Sequence, residues 1–297
     1  MDKEVLEKYK KAGKINAEVR KEIQKILKPG LKILDLADRI EELVDKKGAK
    51  PAFPVNISIN DVAAHYTPTV NDATEIGEGD LVKIDIGTHI DGYIGDMAFT
   101  YCSQPSHLIT ASEKVLEKAI KIIKPGVSIS EIGTVIEDTA KAQDVGVIVN
   151  LTGHTLDKFM FHGPPSILNV KNDIQHKFKE GDVIALEPFI TESNGQIKNS
   201  GTVEIYRYMM DRPVRLTEAR NILKLARDEY HSLPFAKRWL YKKFSPIKVS
   251  LALRQLRMVE ALEEYPVLKE IEGKPIAQSE HTIIVQEKPI VTTRLVE

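Results

Sequence analysis

The chain has a single cysteine, Cys102, among its 297 residues. One thiol cannot form an internal disulfide or build a cysteine-ligated metal site, and such sparse cysteine is typical of a reducing compartment. No apolar run approaches the length that crosses a bilayer, and residues 1–8 are too charged for a signal peptide. The net charge of -1 predicts no strong attraction to membranes or to DNA. These absences together predict a cytosolic protein.

The remaining composition is that of an ordinary globular protein. Hydrophobic residues make up 42% of the chain and charged residues 29%, which is enough for a large core in one or two domains. No low-complexity segment or flexible linker interrupts the sequence.

A short sequence motif occurs twice, and each copy is followed by an acidic residue. A Gly-Asp pair at 79–80 is followed five residues later by Asp85, and a second pair at 181–182 is followed by Glu187, both at an offset of 102. An acid repeated at the same point of an apolar strand predicts two half-domains that face one another. Carboxylates that meet at the centre are unfavourable unless a cation lies between them.

The hydrophobic pattern predicts helices and strands in the same order in both copies. Each copy has two helices separated by a Pro-Gly pair, at 29–30 and at 125–126. The predicted helices are 3–28, one spanning Ile33 to Val44, 112–124, 128–142, and patterns near 217–231 and 247–263. The predicted strands are 80–87, 93–101, 182–190, 201–209, 281–286 and 290–295. Residues 51–71 read as loop and short extended pieces, and 150–165 as a stretch rich in glycine and histidine.

The strands around the first acid form a predicted hairpin with Asp91-Gly92 as its turn. In that register Ile84 faces Phe99, and Asp85 and Asp96 are diagonal neighbours with backbones roughly 7–8 Å apart. A turn shifted by one residue would place the two acids directly opposite, at roughly 5 Å. Two acids on a solvated face are common, but these strands are too apolar for that. The pattern therefore favours a metal site.

Other residues complete a plausible ligand set. His154 and His162 each lie beside a glycine, where a histidine is usually a turn or surface residue. Glu280 stands at the head of an apolar strand, where an acid is out of place unless it binds something. Four carboxylates and one imidazole suit divalent ions such as Mn, Fe, Co or Zn and differ from the thiolate sets of structural zinc.

The order of these residues resembles that of the methionine aminopeptidases, specifically the archaeal-like type 2 branch. The resemblance covers essentially the whole chain. The matching motifs are Phe53-Pro54, Ser58, Asn60, Ala63-Ala64-His65-Tyr66-Thr67-Pro68, Lys83-Ile84-Asp85-Ile86-Gly87, Gly95-Asp96, Gly153-His154, His162-Gly163, Leu186-Glu187-Pro188 and Gln278-Ser279-Glu280-His281-Thr282.

The resemblance implies an α+β pita-bread fold, with two pseudo-symmetric αβ halves around a central antiparallel sheet and a small helical insertion. We expect a catalytic domain over 1–204, a helical insertion over 205–274, and C-terminal strands over 275–297 that complete the catalytic domain.

The resemblance also implies a dinuclear metallo-exopeptidase that removes the initiator methionine from nascent proteins. Asp85 would chelate one divalent ion, Asp96 and Glu280 would bridge both ions, and His154 and Glu187 would complete the other. The ions would be Co, Mn, Fe or Zn. A water or hydroxide held between them would attack the carbonyl that follows the first residue of a methionyl peptide.

Further side chains receive roles from the same resemblance. Glu187 would act as general base, and His65 and His162 would hold the scissile amide and its carbonyl. Outside this motif, His65 would be read as a packed loop residue. Phe53 and Phe161 would line the pocket for the methionine side chain, with plain core packing as the alternative.

The region 205–274 carries 15 Lys and Arg against 9 Asp and Glu, a net charge of +6. A solvated basic face is the favoured interpretation; the alternative is an acidic partner such as ribosomal RNA, which implies a transient ribosome contact. Two rival functions also stay open. A proline-specific exopeptidase of the same fold usually has a separate N-terminal domain, and a non-catalytic ribosome- or RNA-binding homologue has lost metal ligands.

Overall fold

Helices are distributed over both halves and the insertion in the computed structural model, which describes residues 1–295. Within those residues none of the helices has the length and apolarity needed to span a bilayer. The α-helices are α1 (Lys3–Ile23), α2 (Ile33–Lys46), α3 (His107–Ile120), α4 (Ile129–Lys141), α5 (Thr217–Leu225), α6 (Lys237–Leu240) and α7 (Pro246–Met258), and a π-helical turn (Ala226–Tyr230) continues α5.

The strands all pair in antiparallel fashion. In chain order they are β1 (Lys50–Pro51), β2 (Asn56–Ile59), β3 (Val62–Ala64), β4 (Val82–Ile90), β5 (Tyr93–Tyr101), β6 (Gly146–Val147), β7 (Thr152–Asp157), β8 (Met160–Leu168), β9 (Val183–Leu186), β10 (Phe189–Thr191), β11 (Ile197–Tyr208), β12 (Pro234–Ala236), β13 (Leu262–Glu270), β14 (Ile276–Gln278), β15 (His281–Ile284) and β16 (Ile290–Val291).

These strands form four hydrogen-bonded groups. One group belongs to the first half, with the order β1-β4-β2 and β5 on the other side of β4. A second belongs to the second half, with the order β16-β15-β9-β7-β8. The other two groups, the three-stranded β14-β10-β6 and the four-stranded β12-β11-β13-β3, connect the second half and the insertion to the rest.

The internal duplication is visible in matching hydrogen bonds. The Gly30 N–H donates to Ile76 O at 2.8 Å, and in the second half the Gly126 N–H donates to Phe178 O at 2.7 Å. Both glycines have positive φ, 82° and 91°, which residues with a β-carbon rarely adopt. Each Pro-Gly pair therefore binds its helix pair to the segment just before the strand that leads to the repeated acid.

The predicted hairpin register is confirmed. Ile84 pairs with Phe99, Asp85 with Ala98, and Asp96 with Gly87, so the two acids belong to pairs that lie two apart along the ladder. Asp91 and its neighbour Gly92 both have positive φ, 51° and 90°, as a two-residue turn of this kind requires. The two acids are therefore diagonal neighbours on one face of the hairpin.

Each half has its own apolar core between helices and sheet. In the first half α1 and α2 cover β4, with Val19, Ile40 and Ile84 fully buried. In the second half α3 and α4 cover β9, with Val115 and Ile184 fully buried. The duplication thus produces two similar layers, one from each copy.

The insertion packs around a further core that includes Phe235, Leu253 and Leu256. Its flanking strands β11 and β13 pair with each other, and β13 also pairs with β3. The division at 205–274 stays a prediction.

Two of the predicted elements end earlier than expected. The pattern at 247–263 is helical only to Met258, because the chain turns at Glu260, whose φ is 55°; the residues after the turn form β13. The strand predicted at 290–295 extends only over β16. Beyond it the Thr292 N–H still donates to Thr282 O at 3.0 Å, but the Thr282 N–H donates to Thr293 Oγ1 at 3.2 Å instead of to the backbone of Thr292.

Helix α1 approaches β5 closely at a pair of glycines. A β-carbon added at Gly95 would lie 2.6 Å from the nitrogen of Gly13. The buried side chain of Asn16, one turn further along α1, donates to Gly95 O at 2.8 Å and to Ile86 O at 2.9 Å. The glycine contact therefore sets the position of α1 against the strand that carries Asp96.

We expect Gly95→Ala to destabilise the protein by about 1–3 kcal/mol, because backbone atoms of α1 must move to admit the methyl group. Thermal unfolding of the two proteins measures the effect. Lys14→Ala, at an exposed position of the same helix, is the control and should change stability by less than about 0.5 kcal/mol. Equal stability of Gly95→Ala and wild type would contradict the tight contact.

Candidate active site

A cavity of about 370 Å³ opens between the two halves. All nine side chains that the sequence marked as candidates line it. They are Phe53, His65, Asp85, Asp96, His154, Phe161, His162, Glu187 and Glu280. Residues separated by as many as 227 positions along the chain, from Phe53 to Glu280, are thus brought to one place.

The acids reach the cavity from both halves. Asp85 and Asp96 come from the β4–β5 hairpin. Glu187 lies in a break between β9 and β10, within the stretch predicted as one strand over 182–190; the next residue, Pro188, has no N–H to continue a ladder. Glu280 lies between β14 and β15.

The donor atoms of Asp96, His154 and Glu280 lie within 4.8 Å of one another. The Nε2 atom of His154 is 3.6 Å from Asp96 Oδ2 and 3.6 Å from Glu187 Oε1. The other ring nitrogen, Nδ1, is 3.3 Å from Thr155 O. Because a carbonyl only accepts hydrogen bonds, Nδ1 carries the proton and Nε2 presents a lone pair to the carboxylates.

The pKa values of the ionisable side chains in this cluster differ strongly from their usual values. Burial, followed by the charges of neighbouring acids, holds the pKa of Asp96, Glu187 and Glu280 well above the usual range. Burial likewise raises the pKa of Asp85 to about 7. Burial lowers the pKa of His154 to about 4, so at neutral pH its ring is uncharged and its contacts with Asp96 and Glu187 are not ion pairs.

A divalent cation fits this arrangement. Among residues 1–295, Asp96 Oδ1 and Glu280 Oε1 are buried with no hydrogen-bond partner. Lone pairs and negative charges otherwise face one another at the cluster, which is costly in a buried site. A cation would satisfy the orphaned oxygens and the His154 lone pair together. Asp85, Asp96, His154, Glu187 and Glu280 are the residues that could hold it.

An aromatic wall faces the acids. The ring of Phe53 lies 4.9 Å from that of Phe161 and 5.9 Å from that of His65. His162 lies 4.7 Å from His154 and stacks on Tyr265 at 5.7 Å. The cavity is therefore acidic on one side and aromatic on the other.

His65 is held in a specific tautomer. Its Nδ1 atom is 3.2 Å from Pro266 O, so Nδ1 donates and Nε2 is left as an acceptor. Removal of water around the ring lowers its pKa to about 4, which keeps it neutral. Its φ of 64° is unusual for a residue with a side chain, a form of strain found at functional sites.

Two further residues at the site are absent from the predicted set: Tyr265 lines the cavity, and Gln278 contacts Glu187. Tyr265 comes from β13, whose strand pattern is hidden by two preceding acids and the proline that follows. Gln278, whose Nε2 is 3.5 Å from Glu187 Oε2, was quoted only as part of a motif. Its position two residues before Glu280 was the available signal, because residues two apart in an extended segment share a face.

Comparisons with known proteins identify the family of this chain. The profile of Metallopeptidase family M24 matches residues 7–217. A methionine aminopeptidase of Archaeoglobus fulgidus is 46% identical over 288 residues, covering 97% of each chain. One of Thermococcus onnurineus is 44% identical over 281 residues, covering 94% of this chain and 95% of that one. The chain therefore belongs to metallopeptidase family M24. Within that family it groups with the methionine aminopeptidases of archaeal type.

Solved structures give the same fold. A thermophilic Arx1 superposes with a TM-score of 0.87 at 20% identity, over 98% of this chain and 91% of that one. The methionine aminopeptidase from Rickettsia prowazekii superposes with a TM-score of 0.72 at 23% identity, over 99% and 98%. The predicted α+β pita-bread fold is confirmed.

Proposed function

We propose that this protein removes the N-terminal methionine from newly made proteins and peptides, using divalent metal. The observation that carries the proposal is the meeting of four carboxylates and an unprotonated His154 nitrogen in one cavity. The free α-amino group of a peptide is the natural partner of such an acidic cluster. Internal peptide bonds lack that group, so the site would act only at chain ends.

We infer that the ligands are Asp85, Asp96, His154, Glu187 and Glu280 and that they hold two ions of Mn, Fe, Co or Zn. When bound, such ions lower the pKa of water, polarise the substrate carbonyl and stabilise the developing negative charge. Side chains of the protein would supply the other catalytic functions. Glu187, which lines the cavity 3.6 Å from His154 Nε2, would take a proton from the attacking water and return it to the leaving amine.

His65 and His162 would position the scissile bond from the opposite side. The free Nε2 of His65 can accept the N–H of the scissile amide, because Nδ1 is already committed to Pro266 O. His162, stacked on Tyr265, lies beside His154 and would contact the carbonyl. These contacts would hold the substrate for attack without taking part in ligation.

The apolar side chains of Phe53, Phe161 and Tyr265 would enclose the methionine side chain. Phe53 and Phe161 are almost fully buried. Their rings, which contact each other, would form the bottom of the pocket for the unbranched methionine side chain. A thioether packs well against aromatic ring edges. This chemistry favours methionine over charged or branched side chains at the first position.

We expect the purified protein, supplied with Mn²⁺ or Co²⁺, to release methionine from Met-Ala-Ser and to stop when a chelator is added. N-acetylation of the same peptide should abolish release, because it removes the free amino group. Release of the first residue from Xaa-Pro peptides with little action on Met-Ala-Ser would instead establish the proline-specific alternative. A protein that binds Mn²⁺ yet cleaves neither peptide would overturn the enzymatic proposal.

We further propose that the protein acts in the cytosol and that the insertion touches the ribosome transiently. The outer face of α7 presents Ile247, Leu251 and Met258, which are 76%, 53% and 73% exposed, and the helix carries only basic charges. Arg254 is one of these basic residues and is exposed. Co-sedimentation with ribosomes that weakens steeply as salt rises is the expected result; no co-sedimentation at low salt would refute the contact.

A further inference from the structure

The two halves meet along a seam between β5 and residues 278–282. The chains run antiparallel there, with Asp96 facing Thr282, Ala98 facing Glu280, and Thr100 facing Gln278. The middle pair is joined by a backbone hydrogen bond, from the Glu280 N–H to Ala98 O at 2.9 Å. The carboxylates of Asp96 and Glu280 enter the cavity from the two sides of this seam.

At the two outer pairs of the seam, threonine hydroxyls make the hydrogen bonds that backbone groups make in a regular ladder. In a regular antiparallel ladder the facing residues of every second pair exchange two backbone hydrogen bonds. Here the Asp96 N–H donates to Thr282 Oγ1 at 2.7 Å, and Thr282 Oγ1 donates to Asp96 O at 2.9 Å. A hydroxyl both donates and accepts, so this one group satisfies both backbone groups of Asp96.

The same arrangement occurs at the other end of the seam with the strands exchanged. The Gln278 N–H donates to Thr100 Oγ1 at 2.8 Å, and Thr100 Oγ1 donates to Gln278 O at 2.8 Å. Both threonines are buried. Glu280 therefore lies between two hydroxyl clamps, one on each strand.

We propose that Thr282 and Thr100 are positioning residues that set the placement of Asp96 relative to Glu280 across the seam. The inference deepens the proposed function, because it concerns how the proposed metal ligands are held. Thr282 fixes the backbone of Asp96 itself. Thr100 fixes Gln278, whose side-chain amide reaches Glu187 Oε2 at 3.5 Å, so it acts on a third carboxylate.

The backbone of Thr282 cannot replace its hydroxyl in this contact, because its own N–H and C=O are engaged on the far side. Its N–H donates to Thr293 Oγ1 at 3.2 Å, and its carbonyl accepts from the Thr292 N–H at 3.0 Å. Loss of the Thr282 hydroxyl would leave the N–H and C=O of Asp96 buried without that partner. Small movements of a ligand weaken metal sites strongly, typically 10–100-fold when a supporting contact is lost.

Thr282→Val tests the proposal because valine keeps the shape and removes the hydroxyl. We expect Mn²⁺ affinity, measured by competition with a fluorescent chelator, to fall by about 10–100-fold, with kcat falling and KM for Met-Ala-Ser little changed. Thr282→Ser should stay within about 3-fold of wild type, since it keeps the hydroxyl. Thr100→Val should weaken binding in the same direction.

Thr134→Val is the matched control, because it removes the hydrogen bond from a partly buried hydroxyl to Ser130 O on α4, away from the seam. It should bind Mn²⁺ like wild type. Folded Thr282→Val protein with wild-type Mn²⁺ affinity would overturn the proposal, even if its thermal stability fell. If Thr282→Val does not fold, a 10-fold weaker affinity in Thr282→Ser, or unchanged affinity in Thr100→Val, would overturn it instead. Because Mn²⁺ affinity is measured without peptide, it tests the role of Thr282 independently of whether the wild-type protein releases methionine.

Discussion

Asp96→Asn is expected to lose almost all turnover, with kcat reduced on the order of 10³-fold. Asp96 lies at the centre of the cluster, within 4.8 Å of both His154 and Glu280 donor atoms. The amide keeps the size of the side chain but removes one negative charge from the cation site. Lewis-acid catalysis contributes several kcal/mol, and about 4 kcal/mol corresponds to about 10³-fold in rate. Steady-state release of methionine from Met-Ala-Ser, with metal content determined alongside, measures both effects.

The stability of this variant should move in the opposite direction. The pKa of Asp96 in the folded protein is raised by burial and by the charge of Asp85, so its ionised form destabilises the metal-free fold as pH rises towards neutrality. Asn removes that charge, and the metal-free variant should unfold at a temperature no lower than wild type. Asp173→Asn, the same change at an exposed position, is the control and should leave turnover intact. Near wild-type kcat in Asp96→Asn would reject the ligand assignment.

His65→Ala is expected to keep its metal and lose roughly 10²–10³-fold in kcat, in the range of a lost proton-handling or hydrogen-bonding group. His65 lines the same cavity as the carboxylates, but its Nδ1 is bound to Pro266 O and its ring packs on Phe53 and Tyr265. It therefore touches substrate in the proposal and does not ligate.

Metal analysis together with single-turnover kinetics distinguishes these roles for His65. His176→Ala, at an exposed position far along the second half, controls for the loss of an imidazole and should behave like wild type. A His65→Ala protein that has lost its metal would make His65 a ligand and contradict the proposed role.

The parts of the site that follow local rules were predictable from the sequence. The relation of Asp85 to Asp96 follows from a two-residue turn and the alternation of side chains along strands. The equivalence of Asp85 and Glu187 follows from a repeated motif. Each of these rests on neighbours within one hairpin or on a count along the chain, which a single sequence contains.

The parts that depend on long-range contacts were not predictable in this way. Tyr265 reaches the cavity because β13 pairs with β11 and β3, although the sequence predicts a helix over 247–263 that overlaps the start of this strand and predicts no strand at Tyr265. Thr282 and Thr100 look like ordinary strand threonines until the two halves are in contact. Periodicity cannot show which strand a hydroxyl will face when that strand lies more than 170 residues away.

The position of Glu280 has a consequence for synthesis of the protein itself. The last carboxylate of the cluster is translated 195 residues after the first, Asp85, and it is held in place by a seam that needs both halves. A partly translated copy therefore lacks a complete cation cage, however well its first half has folded. An enzyme proposed to trim chains as they emerge is therefore inert until almost all of its own chain has been made.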